Sequence, residues 1–378
     1  MDQAAPLRSY DPQNPLAPLA VRSQATSKPM DPLALGALAK VYMIWLGGGS
    51  CEGCSVAVTG ATHPRLEQLL AGAIPGLPRV ELVHCLLSTE SGSEWTANLL
   101  MAERGELDAP YILTWEGSVL DESTAGEGSW SGLGQDPLTG RQIPTSEWLD
   151  RLAPGAAAVI AVGTCAAWGG IPAAAGNPTG SSGITEHLGE GYRSAAGVPV
   201  VKIPGCAPLG DNYTETVAAL LLHLNGLAPL PELDDLGRPA WLFTETVHSG
   251  CARLSYYEHG VFATEPGGGA CLVELGCWGP VVQCNITERG VIDGAGGCMS
   301  MGGICIGCTM PGFPDRFSPL FERPVFPATA GSHRASGGFL RRLRSARTHR
   351  TPAPVGLAAG RPSSKRFYRS EASSSGVG

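Results

Sequence analysis

The sequence predicts an α/β fold: a doubly wound, mostly parallel sheet followed by a smaller and mostly irregular domain. Three observations predict it. Five near-continuous apolar runs, at residues 40–46, 80–87, 110–118, 156–162 and 198–203, read as strands buried on both faces. Helical segments around 65–70 and 214–224 fall between and after them, the alternation of a flavodoxin-type sheet. From 244 to 325 few helices or strands are legible, while cysteine and histidine accumulate.

In chain order, residues 1–37 are rich in Pro, Ser, Gln and Ala without periodicity and read as an extended or disordered arm. The first strand runs into Gly47-Gly48-Gly49-Ser50, a tight loop that delivers Cys51-Glu52-Gly53-Cys54. The third ends at Glu116-Gly117-Ser118, the fourth at Gly163-Thr164-Cys165, and the fifth at Pro204-Gly205-Cys206. Open parallel sheets bind ligands beyond the carboxyl ends of their strands. Cys51, Cys54, Cys165 and Cys206 are therefore expected to form one four-thiolate site from three loops. Residues 121–148, rich in Gly, Ser and Asp, read as a long surface loop or a partner-facing insertion. Rising Pro, Asp and Glu content over 226–239 places a domain boundary near 225. The expected organisation is an arm (1–37), a flavodoxin-like domain (38–225), a second domain (226–325) and a basic, disordered tail (326–378).

At 378 residues with 43% hydrophobic content the chain can bury a sizeable core, and 52 Gly with 31 Pro imply abundant loops. The formal charge of -8 hides an asymmetry: residues 331–378 carry ten Lys or Arg against the single acid Glu371. The body is strongly acidic, which argues against nucleic-acid binding, and the tail is either a solvated end or a contact for an anionic partner or lipid surface. No secretory or twin-arginine signal and no run of roughly 18 to 20 apolar residues is present, so a cytoplasmic location without an integral membrane segment is expected.

Twelve cysteines in such a chain point to metal rather than disulfides. Between His248 and Cys308 lie His248, Cys251, Cys271, Cys277, Cys284, Cys298, Cys305 and Cys308. Structural zinc favours paired CxxC knuckles, a pattern met here only by Cys305-Ile306-Gly307-Cys308, whereas iron-sulfur clusters accept irregular spacings wrapped around a bulky group. These eight with the four strand-end cysteines make twelve ligands, enough for three four-ligand clusters. Cys85, inside the second predicted strand, is left over as a core thiol. A zinc-stabilised scaffold without catalysis is the alternative from a different class.

The order and identity of these motifs resemble the small, electron-transferring subunit of nickel-iron hydrogenases. The matching pieces are Trp45-Leu46, Cys51-Glu52-Gly53-Cys54-Ser55, Glu116-Gly117-Ser118, Gly163-Thr164-Cys165-Ala166, Ile203-Pro204-Gly205-Cys206, Val247-His248-Ser249-Gly250-Cys251, Cys271 through Pro280, and Cys305-Ile306-Gly307-Cys308 before Pro311-Gly312-Phe313. The resemblance implies a proximal 4Fe-4S cluster on Cys51, Cys54, Cys165 and Cys206, beside the nickel-iron site of an obligate large subunit. It implies a distal 4Fe-4S cluster on His248, Cys251, Cys271 and Cys277, and a medial one on Cys284, Cys305 and Cys308. Many relatives carry proline seven residues before the last CxxC and hold a 3Fe-4S medial cluster; here that position is Cys298, so a fully ligated 4Fe-4S cluster is expected instead. Glu116 is implied either to help proton movement or to bond backbone near the proximal cluster.

Oxygen-tolerant membrane-bound members add two cysteines near the proximal cluster, at positions matching Gly53 and Gly170 here. The run from Gly47 to Ala61 is most similar to the actinobacterial-type, high-affinity uptake branch. The implied activity is that of a hydrogenase subunit, relaying electrons from H2 oxidation to an acceptor, with a quinone fitting that branch. A dimer of heterodimers or larger, with peripheral membrane association through partners, goes with it. The competing family is the cluster subunit of complex I-type quinone reductases, which resembles the N-terminal domain only and has adjacent cysteines that this chain lacks.

Overall fold

The computed structural model describes residues 38–84 and 93–322. Cys85, the arm before residue 38 and the tail after 322 lie outside the described residues. Strands β1 (Lys40–Gly47), β2 (Arg79–His84), β3 (Tyr111–Glu116), β6 (Ala158–Val162) and β7 (Val201–Ile203) form a five-stranded sheet in the order β2-β1-β3-β6-β7. Every neighbouring pair is parallel, so with the five strands taken in sequence the order is 2-1-3-4-5, the flavodoxin-like arrangement.

Both faces of the sheet are covered, which is why the strands read as apolar runs rather than alternations. Side chains nevertheless alternate in destination. Val41, Met43 and Trp45 of β1, with Ile160 and Val162 of β6, pack on one face against Tyr213, Val217, Leu220, Leu221 and Leu224. These come from the helix Gly210–Leu224, whose last four named residues are each fully shielded and contribute about 1.5–3 kcal/mol apiece. Ile44 and Leu46, with Leu113 and Trp115 of β3, face the other way onto Leu99, Trp148, Leu149 and Leu152.

Two expectations need correction. Residues 121–148 are not a plain loop: they contain an antiparallel hairpin of β4 (Gly132–Gln135) and β5 (Gln142–Pro144), and enter the helix Thr145–Leu152. Its Trp148 is fully buried with Nε1 donating to the Leu133 carbonyl at 2.8 Å, so an apolar anchor closes a polar-looking segment. The fifth strand is shorter than 198–203, because Pro199 has no N–H to give a ladder. Two helices, Gly53–Thr59 and Ser93–Glu103, were not legible at all.

Beyond Leu224 the described chain has only short helical turns, the longest being Leu254–Glu258. Its apolar core is small. Val247, Val282, Met299, Phe313 and Phe317 pack with Cys251, Cys277, Cys284, Cys305 and Cys308, so thiols occupy the positions that larger hydrophobic residues hold elsewhere. Metal-thiolate bonds can replace hydrophobic burial in such a unit.

Candidate metal centres

Cys51 and Cys54 lie just past β1, Cys165 just past β6 and Cys206 just past β7, so three parallel strands of one sheet, with β3 between β1 and β6, carry four thiols at the same edge. The helix Gly53–Thr59 begins inside the Cys51-to-Cys54 motif, with Glu52 at φ 62, a left-handed conformation disfavoured for glutamate and found where a loop is tightly specified. Its N-terminus is held from β3: Glu116, 1% exposed, accepts from the Cys54 N–H at 3.0 Å on one oxygen. The other oxygen accepts from the Ser55 N–H at 3.0 Å and from Trp45 Nε1 at 3.3 Å. Both carboxylate oxygens are thus engaged in fixing the ligand helix, which supports the backbone role for Glu116 over a proton path.

The approach of these loops is close. Gly163, at φ +86, leaves a Cβ position only 2.4 Å from Cys54 Sγ, so only glycine fits there. Burial pushes the Cys54 thiol above its usual range, and Glu116 and the sulfurs of Cys165, Cys51 and Cys206 add to the shift. Cys165 is pushed up to about 11, first by burial, with the Ile171 N–H opposing and Cys206 and Cys51 reinforcing. Cys54, Cys165 and Cys206, all pushed upward by burial and by neighbouring sulfur, are a poor arrangement for free thiolates and a suitable one for a cation that displaces their protons. Cys51 and Cys206 are exposed, so this end of the chain is open at the surface.

The second group lines one cavity, whose walls include His248, Cys251, Cys271 and Cys277, all four expected distal ligands. His248 is 8% exposed and stands edge-on to Tyr257, with ring centroids 4.4 Å apart. The Arg253 N–H donates to Cys251 Sγ at 3.4 Å. Burial pushes Cys271 up to about 11, the Val273 N–H opposing and Cys277 and Cys251 reinforcing.

Cys284, Cys298, Cys305 and Cys308 form the third group. Cys284 is pushed up to about 11 by burial, with the Ile286 N–H opposing, Cys298 reinforcing and Arg238 opposing. Cys308 is pushed up to about 12 by burial and by Cys284, with the Cys206 N–H opposing and Cys298 reinforcing. Cys298 is exposed at the surface, and its charge adds to the upward push on Cys284 and Cys308, and on Cys277 as well.

The groups adjoin end to end. Thr164, one residue before Cys165, donates its hydroxyl to the Cys308 carbonyl, joining the first group to the third. The Cys305 N–H donates to Cys277 Sγ at 3.3 Å, joining the third to the second. Among the described residues no three His, Cys, Asp or Glu side chains converge as donors to one small ion do.

The positions matching the extra cysteines of oxygen-tolerant members differ in room. A Cβ at Gly53 would stand 3.3 Å from Cys51 Sγ, whereas at Gly170, φ +56, it would meet Cys165 Cα and Sγ at 2.8 Å. Two features were missed in the sequence. Thr164 reads there as a loop residue, and Arg238, 1% exposed, sits in the Pro- and Asp-rich segment taken for a boundary. Only the acid Asp234 four residues earlier hinted at a pair.

A flavodoxin-like sheet with thiolate groups strung from its strand ends into an irregular second half defines an iron-sulfur, electron-transferring subunit of an oxidoreductase. Residues 243–321 match the C-terminal family of the NiFe/NiFeSe hydrogenase small subunit, and residues 51–220 match NADH ubiquinone oxidoreductase, 20 Kd subunit. The periplasmic [NiFeSe] hydrogenase small subunit of Desulfomicrobium baculatum is 35% identical over 290 residues, 75% of this chain and 87% of that protein. The Hydrogenase-2 small chain of Escherichia coli (strain K12) is 33% identical over 281 residues, 71% of this chain and 67% of that one. Among solved structures, the actinobacterial-type NiFe-hydrogenase from Ralstonia eutropha H16 aligns with a TM-score of 0.75 at 47% identity, covering 86% of this chain and 97% of that chain. The chain belongs to the small-subunit family of nickel-iron hydrogenases, and is the electron-transfer part of a hydrogenase complex with a large-subunit partner. The match to the 20 Kd subunit stops before the second half, as expected for a family that shares the N-terminal domain only.

Proposed function

We propose that the chain is the electron relay of an uptake hydrogenase of the actinobacterial type, carrying electrons from H2 oxidised on the large subunit through three clusters to a quinone-class acceptor. The observation that carries this reading is the end-to-end contact of the three candidate groups, through the Thr164 hydroxyl on the Cys308 carbonyl and the Cys305 N–H on Cys277 Sγ. Iron-sulfur clusters bound there would accept and release single electrons. The chain's own residues do the rest. Cys51, Cys54, Cys165 and Cys206 present the proximal site at an exposed face for the large subunit to cover. Cys284, Cys298, Cys305 and Cys308 form the medial site, with Cys298 as a fourth thiolate giving a 4Fe-4S rather than a 3Fe-4S cluster. His248, with Cys251, Cys271 and Cys277, forms the distal exit, where a neutral ligand in place of a thiolate raises the potential.

Flavodoxin-like and cluster-binding domains dividing near residue 225 form part of this reading, as do a dimer of heterodimers and a cytoplasmic location. Among the described residues no helix is long and apolar enough to cross a membrane. The test is co-purification with the large subunit, followed by iron and acid-labile sulfide counts, EPR and H2-dependent reduction of a quinone and of a dye. Twelve irons per chain and quinone turnover are expected. A stoichiometric 3Fe signal in the oxidised complex would overturn the medial assignment, and dye turnover without quinone turnover would overturn the acceptor. Elution of the complex at the mass of one heterodimer would overturn the larger assembly, and its recovery in a periplasmic or extracellular fraction would overturn the location.

A further inference from the structure

Arg238 is 1% exposed, and every one of its three guanidinium nitrogens has an acceptor. Nε donates to Asp234 Oδ2 at 2.8 Å, and Nη2 approaches the same oxygen at 2.7 Å and also donates to Gln283 Oε1. Nη1 donates to the Thr309 carbonyl at 3.3 Å and approaches Met310 Sδ at 3.5 Å, while the group lies 4.7 Å from the centroid of Phe243. Gln283 immediately precedes Cys284 and Thr309 immediately follows Cys308. One cation therefore ties together the two segments that supply medial ligands.

We propose that Arg238 is a positioning and potential-setting residue of the medial site, a permanent buried positive charge that favours the reduced state of the group held by Cys284, Cys298, Cys305 and Cys308. This rests on the assignment of those four cysteines to one cluster. Adding an electron adds negative charge, and a guanidinium that cannot lose its proton stabilises that charge more strongly the less water surrounds it. Asp234 offsets the effect only in part. Its side chain is 23% exposed against 1% for Arg238, so solvent screens the carboxylate more than the guanidinium. A medial site made easier to reduce takes each electron arriving from the proximal end more readily.

The test is an EPR-monitored redox titration of the purified complex in wild-type, Arg238→Gln, Arg238→Lys and Asp234→Asn forms, with iron and sulfide counted in each. Arg238→Gln is expected to lower the reduced-to-oxidised ratio of the medial cluster at least tenfold at fixed ambient potential, a shift of about 59 mV for a one-electron couple. Asp234→Asn is expected to move it the opposite way, Arg238→Lys to stay nearer wild type than Arg238→Gln, and proximal and distal signals to stay in place. Arg238→Gln and Asp234→Asn shifting together, or neither shifting at full iron content, would overturn the proposal and leave Arg238 a structural tie. Should Arg238→Gln lose iron, Asp234→Asn decides alone: a rise supports the charge effect and no rise overturns it. A wild-type complex with eight irons and no medial signal would refute the cluster assignment itself, a failure distinct from an unmoved potential.

Discussion

Glu116→Gln leaves a side chain of the same length in the same buried place but with one acceptor instead of two. Glu116 accepts from Cys54 N–H and Ser55 N–H, each at 3.0 Å, and from Trp45 Nε1 at 3.3 Å. The amide is best placed with its oxygen kept on Ser55 and Trp45, which share one carboxylate oxygen, and its NH2 turned toward Cys54. A donor then faces a donor, and the Cys54 N–H loses its partner at a cost of about 1–3 kcal/mol. At about 2–4 °C per kcal/mol for a unit of this size, thermal unfolding should fall by roughly 2–12 °C. Glu116→Ala strands all three donors and should cost more than Glu116→Gln. The assay is unfolding of the purified complex, with iron content and the proximal EPR signal recorded beside H2 turnover. The capping role predicts lower stability and a loosened proximal site in both variants, graded Ala beyond Gln. Unchanged unfolding and full iron in Glu116→Gln, with turnover abolished, would refute this reasoning and return Glu116 to the proton path.

Gly170→Cys should reduce iron content, since its Cβ would collide with Cys165 at 2.8 Å and the backbone at φ +56 resists a side chain, whereas Gly53→Cys, with 3.3 Å to Cys51 Sγ, should be tolerated; iron counts compare the two. Trp148→Ala should destabilise the chain by about 3–5 kcal/mol, because a fully buried indole and its bond to the Leu133 carbonyl are lost together, and denaturant unfolding reads this directly. His187 sits 2.8 Å from Asp150, whose hydrogen bond raises its pKa against the opposing effect of burial. A raised folded pKa means the stabilisation is complete below the unfolded value of about 6.5 and is lost as pH rises through the folded one. The unfolding difference between wild type and His187→Gln should therefore be largest in mild acid and vanish in alkali.

The apolar runs of β1, β3 and β6 and the cysteines at the strand ends were legible because both signals are local: a run of buried residues bounded by glycine, and a ligand just beyond it. The helix Gly53–Thr59 was not, since seven residues that include glycine and β-branched side chains have little helical tendency of their own. It forms because Glu116, distant in sequence, accepts its first N–H groups. The hairpin of β4 and β5 was hidden for the same reason: its polar residues look like loop, and Trp148 anchors them only once packed under Leu133.

By itself the sequence determined the set of thiols, the strand-end placement of four of them and the family, because residue type and spacing are properties of the chain alone. Only the tertiary structure decided that Thr164 meets Cys308 and Cys305 meets Cys277, and that Arg238 lies buried between Gln283 and Thr309. Those contacts join residues far apart along the chain, and their energies exist only when the sheet and the irregular second half are packed together.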